Sequence, residues 1–105
     1  MYKLSFYVPE PALESVKSAL FEAGAGKIGL YDQCCWQTKG RGQFRPLPGS
    51  DPAIGAREIL TTLDEWKVEL VCEDTLIKSV VSVLKKAHPY EEFAYQVLHL
   101  ADTDC

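Results

Sequence analysis

The stretch Trp66–Leu100, WKVELVCEDTLIKSVVSVLKKAHPYEEFAYQVLHL, changes its apolar period twice and so decides the fold. Trp66, Val68, Leu70 and Cys72 alternate with Lys67 and Glu69, the period of a strand with one face inward. Leu76, Ile77, Val80, Val81, Val83, Leu84 and Ala87 then recur at helical spacing. Glu73 and Asp74 put negative charge where the helix begins, and Lys85 and Lys86 put positive charge in its last turn. Pro89 stops the helix and pushes His88 towards extended backbone. A last strand over about Ala94–Leu100 sends Tyr95, Val97 and His99 to one face and Gln96, Leu98 and Leu100 to the other.

The N-terminal quarter has the same grammar. Tyr2, Leu4, Phe6 and Val8 alternate, Pro9 and Pro11 end the strand, and Leu13, Val16, Ala19, Leu20 and Ala23 form an amphipathic helix that Gly24 stops. Between these halves the composition shifts: all seven glycines lie from Gly24 to Gly55, and three of the six prolines from Pro46 to Pro52. The pattern predicts a strand over Ile28–Thr38, a hairpin tip over Thr38–Arg45, a loop over Pro46–Ile54, a strand over Ile59–Leu63 and a separate one from Trp66. The order β, α, hairpin, β, α, β is an α+β ferredoxin-like sandwich (βαββαβ), with an extended β-arm between the halves. The 105 residues make a single domain, 1–105. Such an arm exposes strand edges that tend to pair with another chain, often another copy.

A formal charge of -4 and scattered basic residues argue against nucleic-acid binding. No apolar run is long enough to span a bilayer, and the first strand lacks the marks of a signal peptide, so a cytoplasmic location is expected. Four cysteines without C-x-x-C spacing are read as reduced thiols, with Cys105 at the last position, where fraying is expected.

Several segments carry chemistry-bearing residues. GAGKIG (Gly24–Gly29) matches the dinucleotide fingerprint in letters but follows a helix and precedes a strand, the reverse of what phosphate binding needs. Cys34 and Cys35, adjacent on a predicted strand, should point to opposite faces. Arg41 and Arg45 in a glycine- and proline-rich loop could hold an anion. His88, Tyr90, Glu91 and Glu92 could bind a small ligand, or hydrogen-bond the chain where helix turns into strand. A divalent metal would draw on His88, Glu91, Cys34 and Cys35, and a metal-dependent hydrolytic site on His88 with Glu91 or Glu92 and a cysteine. No serine elbow or H-E-x-x-H is present, so no catalytic residue is assigned.

Taken together, GAGKIG, the block GQFRPLPGSDPAIG (Gly42–Gly55) and HPYEEFAY (His88–Tyr95) resemble the PII/CutA-like insert domain of the YqfO-type dinuclear-metal proteins, the Ngg-interacting-factor-like family. The resemblance runs from about Tyr2 to Leu100. It departs from the family pattern at Phe93, where a proline or small residue is usual, and at Gln96, where an acid is usual. It implies a PII/CutA-like fold. The parents' metal ligands lie in flanking domains, so neither their dinuclear site nor a cyclohydrolase label carries over. CutA and PII proteins assemble as trimers with inter-subunit clefts, which implies a homo-oligomer, trimer favoured over dimer. Docking on a separate dinuclear-metal family protein is a further implied partnership. The implied function is a self-associating small-ligand or metal-responsive binding or regulatory module.

Overall fold

A computed structural model describes residues 1–103; Cys105 lies outside them. Strand β1 (Tyr2–Pro9) leads through a single 3-10 turn, with Pro11 in its first positions, into helix α1 (Leu13–Glu22). Strands β2 (Trp36–Phe44) and β3 (Thr61–Cys72) form the hairpin. Helix α2 (Ile77–Ala87) and strand β4 (Tyr95–His99) complete the chain. The sheet order is β2-β3-β1-β4, antiparallel throughout, so each helix carries the chain across one intervening strand. This is the ferredoxin-like sandwich expected.

One face of the sheet is covered. Leu4, Phe6 and Val8 of β1, with Val68, Leu70 and Cys72 of β3, meet Leu13, Val16 and Leu20 of α1 and Ile77, Val80 and Leu84 of α2 in one buried cluster. The alternating partners Lys3, Ser5, Tyr7, Glu65, Lys67 and Glu69 fall on the other face, which no element among the described residues packs as a layer.

Gly24 ends α1 at φ +102°, as its sequence position predicts. Asp74 does not serve the start of α2; its carboxylate pairs with the Met1 ammonium, which holds its pKa below the usual carboxylate range. Lys85 and Lys86 do sit in the last turn of α2.

The middle of the chain departs from the sequence reading in three places. The predicted strand Ile28–Thr38 is displaced to Trp36–Phe44. Gly29 at φ +57° and Gln33 at φ +53° bend the chain before it, closing a tight turn in which the Ile28 and Tyr31 backbones bond reciprocally. The predicted tip at Thr38–Arg45 is strand as far as Phe44, because Gly40 and Gly42 are extended; the true tip is residues 45–60, with Gly49 at φ +92°, Gly55 at φ +87° and Glu58 at φ +64°. The two strands predicted at Ile59–Leu63 and from Trp66 are one, Thr61–Cys72, since its register against β2 runs unbroken from Phe44↔Thr61 to Trp36↔Glu69.

β1 reaches only as far as Pro9↔Glu65, so Arg41–Phe44 and Thr61–Asp64 project beyond the sheet as a two-stranded arm. The molecule measures 52 × 23 × 23 Å, with a radius of gyration of 15.0 Å. A compact chain of this length would have about 13 Å.

Gly26 joins the bend to the sheet: its N–H donates to the Val71 carbonyl at 2.8 Å, and its own carbonyl accepts from Cys34 N–H at 2.8 Å. Its φ is +80°, and a Cβ there would lie 2.8 Å from the Cys34 oxygen and 3.0 Å from the Phe21 ring. Gly26→Ala is therefore expected to destabilise the fold by about 2 kcal/mol, read as a fall in the urea midpoint at constant m-value.

Candidate cleft between the arm and the helix exit

The end of α2 is built as its sequence demands. Pro89 forces His88 out of helical geometry, to φ −71° and ψ 136°, and the imidazole swings beneath β1. His88 is 5% exposed. Its Nε2 lies 2.7 Å from the Tyr7 carbonyl, and the Tyr90 N–H donates to its Nδ1 at 3.1 Å. A carbonyl only accepts and an amide N–H only donates, so the ring is the neutral tautomer with its proton on Nε2. Both ring nitrogens are thereby engaged, leaving no lone pair for a metal while these bonds stand. Phe93 stacks on the ring at 3.8 Å between centroids and 2° between planes. Burial pushes the imidazole pKa below its usual value, opposed by the bond to Tyr7.

Tyr90 reaches the root of the arm. Its hydroxyl donates to Glu65 Oε2 at 3.3 Å, and its ring stands 5.8 Å from that of Phe44 at a tilt of 57°. Burial, then the negative charge and hydrogen bond of Glu65, push the phenol up to about 12. Burial raises the Glu65 carboxyl above the usual range, and the Tyr90 hydrogen bond offsets part of that rise. Gly42 makes room for this carboxylate: a Cβ at Gly42 would fall 1.8 Å from Glu65 Oε1. Glu91 Oε1 accepts the Asp51 N–H at 2.9 Å and tethers the long loop to the helix exit. This bond is exposed, so Glu91→Gln should cost less than about 1 kcal/mol. Its mark is local: amide exchange at Asp51 is expected to speed up while core amides hold.

These elements enclose a cleft of about 1060 Å³. Its floor is the uncovered sheet face (Tyr7, Gly40, Gly42, Glu65, Lys67), one wall is the loop from Phe44 to Ile54, and the other is Tyr90–Ala94. Of the residues singled out from sequence, Arg41, Arg45, Tyr90, Glu91 and Glu92 line it, and His88 supports it from behind. Arg41 also reaches Thr62 Oγ1 at 3.3 Å. Cys34 and Cys35 do not join them. They precede β2 rather than lying on it, and line a separate groove with Lys3, Trp36 and Val71. Among the described residues no three His, Cys, Asp or Glu side chains converge as a metal-holding group.

Glu65 and Tyr7 were not singled out from the sequence as site residues, and Gly40 and Gly42 were read as turn glycines. Glu65 is one of three alternating charged residues, a pattern that also marks a solvated strand face, and Gly42 carries the same letter as a turn glycine. On the same face Lys3 Nζ and Lys67 Nζ lie 2.8 and 3.6 Å from Glu69 Oε1, and the Lys3 bond holds that carboxyl below the usual range. No helix among the described residues is long and apolar enough to cross a membrane.

No protein-family model matches the chain. It is 40% identical over 102 residues to a GTP cyclohydrolase 1 type 2 homolog of Halalkalibacterium halodurans, covering 97% of this chain and 27% of that protein. The protein of the same name from Bacillus subtilis is 41% identical over 101 residues, covering 96% of this chain and 27% of its own length. Among solved structures, a Bacillus cereus protein related to NIF3 superposes with a TM-score of 0.80 at 35% identity, over 96% of this chain and 26% of that one. CutA1 from Pyrococcus horikoshii superposes with a TM-score of 0.70 at 15% identity, over 99% of this chain and 87% of that one, a likeness of fold. The chain thus spans about a quarter of the length of the NIF3-related proteins it matches.

Proposed function

This chain is a homologue of a quarter-length segment of the NIF3-related proteins, and on that premise we propose that it is a self-associating binding module. It holds a small ligand in the cleft between arm and helix exit, at or near a contact with another copy. The observation that carries this reading is a sheet covered on one face only, whose hairpin runs on as an arm. The unpaired edges of such an arm offer a template for pairing with another chain. Among the described residues, five exposed large apolar side chains fall where this predicts, while Ile28, Leu30 and Tyr31 are exposed on the bend before β2 and Met1 at the N-terminus. Trp36 (70% exposed) and Leu98 (55%) sit on the two edge strands, and Leu47, Ile59 and Leu60 at the end of the arm. Grouped exposure of large apolar residues marks contact surfaces. The resemblance to CutA and PII proteins favours a trimer over a dimer. The activity named for the longer relatives is not proposed for this chain.

Sedimentation velocity at micromolar concentration tests the assembly. A species near three times 11.7 kDa is expected, and a monomer throughout the range would sink the reading. Divalent-metal titration is expected to leave the melting temperature unchanged. A metal held only by the native state would raise it, by about 2.7 kcal/mol of stability at a hundredfold excess over Kd.

A further inference from the structure

The corner of the cleft at Glu65 and Tyr90 has a charge that no described residue balances. Glu65 is half buried, and its one hydrogen-bond partner among the described residues is the Tyr90 hydroxyl. The nearby cations are engaged elsewhere. Lys67 is 3.6 Å from Glu69, Lys39 pairs with Glu10 and Asp64 at 3.3 and 3.7 Å, and Arg41 reaches Thr62. Among the described residues no Lys, Arg or His nitrogen forms an ion pair with Glu65. Arg45, the remaining basic group of the cleft, is exposed on the loop.

The surroundings of this carboxylate are flat and aromatic. The carboxylate leans over Gly42, and beside it, opposite Glu65 in register, Gly40 leaves open space, since a Cβ there would meet nothing within 4 Å. Tyr90 presents its hydroxyl to the carboxylate, and its ring packs at a tilt of 57° against Phe44. A half-buried carboxylate, a glycine-lined strand and an aromatic pair at its side together suit a planar cation: the acid accepts a forked pair of N–H donors, and the aromatic pair favours a delocalised positive charge.

We propose that this corner binds the guanidinium group of a small organic cation, with Glu65 accepting its paired N–H donors beside the Phe44–Tyr90 ring pair. The inference rests on the reading of the cleft as a ligand site. It names the class of ligand. Burial acts in the same direction, because a carboxylate lifted above its usual range gains most from a counter-charge brought to it.

Methylguanidinium is the probe, titrated into the full chain and followed by the amide resonances of Gly40 and Gly42. Saturable shifts in about the millimolar range are expected for so small a ligand. Urea has the same planar shape without the charge and should give none. E65Q should weaken binding by at least about tenfold, the loss of one charge-assisted pair. Should E65Q fail to fold, Gly40→Ala decides: its added methyl has room in the fold but occupies the floor, and at least about threefold weaker binding is expected. Equal binding of urea, unchanged binding in E65Q or Gly40→Ala, or no saturable shift with methylguanidinium would each overturn the proposal. Sedimentation of the same samples reports on self-association separately, so either reading can fail alone.

Discussion

His88→Ala is expected to destabilise the fold by about 3 kcal/mol, one of the largest effects of any single polar substitution in this chain. The change strips the Tyr7 carbonyl and the Tyr90 N–H of their shared partner and removes the ring on which Phe93 stacks. Each lost bond that leaves a buried group unpaired costs about 1–3 kcal/mol, and the vacated ring volume adds to it. In a domain of this size the melting temperature should fall by more than about 10 °C. A surface histidine kept for chemistry alone would cost almost nothing, so a variant within about 0.5 kcal/mol of the parent would refute the structural role.

The same residue sets a pH dependence with a definite sign. Burial lowers the native imidazole pKa, so the unfolded chain takes up a proton first as pH falls below about 6.5. Stability contributed by neutral His88 is therefore fully present above that value and is lost as pH drops from there towards the native pKa. The urea midpoint should decline on acidification from pH 7.5 to 5. In His88→Asn that part of the slope should vanish. An equal slope in the variant would assign the decline to other groups.

His88 also shows how much of this molecule can be read from its letters. Helix α2 and strand β4 were legible because apolar period and Pro89 agree, and a local rule decides where the turn falls. The pairing of His88 with Tyr7, eighty-one positions away in the chain, was not, since no local pattern encodes a partner on β1. The sequence offered ligand binding and hydrogen bonding to the chain as alternatives for this histidine; the geometry fills both ring nitrogens with backbone. The hairpin failed for a different reason. Gly40 and Gly42 look like turn residues, yet Gly42 is there because Glu65 occupies the space its side chain would need. A glycine required by close approach and one required by positive φ carry the same letter. Likewise Cys34 and Cys35 were assigned to opposite faces of a strand that begins only at Trp36.

Trp36→Ala is expected to weaken self-association by at least about 30-fold, the loss typical of a central aromatic anchor worth about 2 kcal/mol. Trp36 lies on edge strand β2, opposite Glu69 on the uncovered face, and is 70% exposed. Its indole N–H already donates to Thr38 Oγ1 at 3.2 Å, so the ring is fixed before any partner arrives and loses little freedom on binding. Trp36 is largely exposed, so the monomer's urea midpoint should barely move while sedimentation shifts towards 11.7 kDa. That split separates an interface residue from a core residue, which would move both. Leu60→Asp at the end of the arm probes the alternative, a contact made by the arm tip alone. If Leu60→Asp dissociates the assembly and Trp36→Ala does not, the uncovered sheet face is not what the copies share. The cleft would then open to solvent rather than to a neighbour.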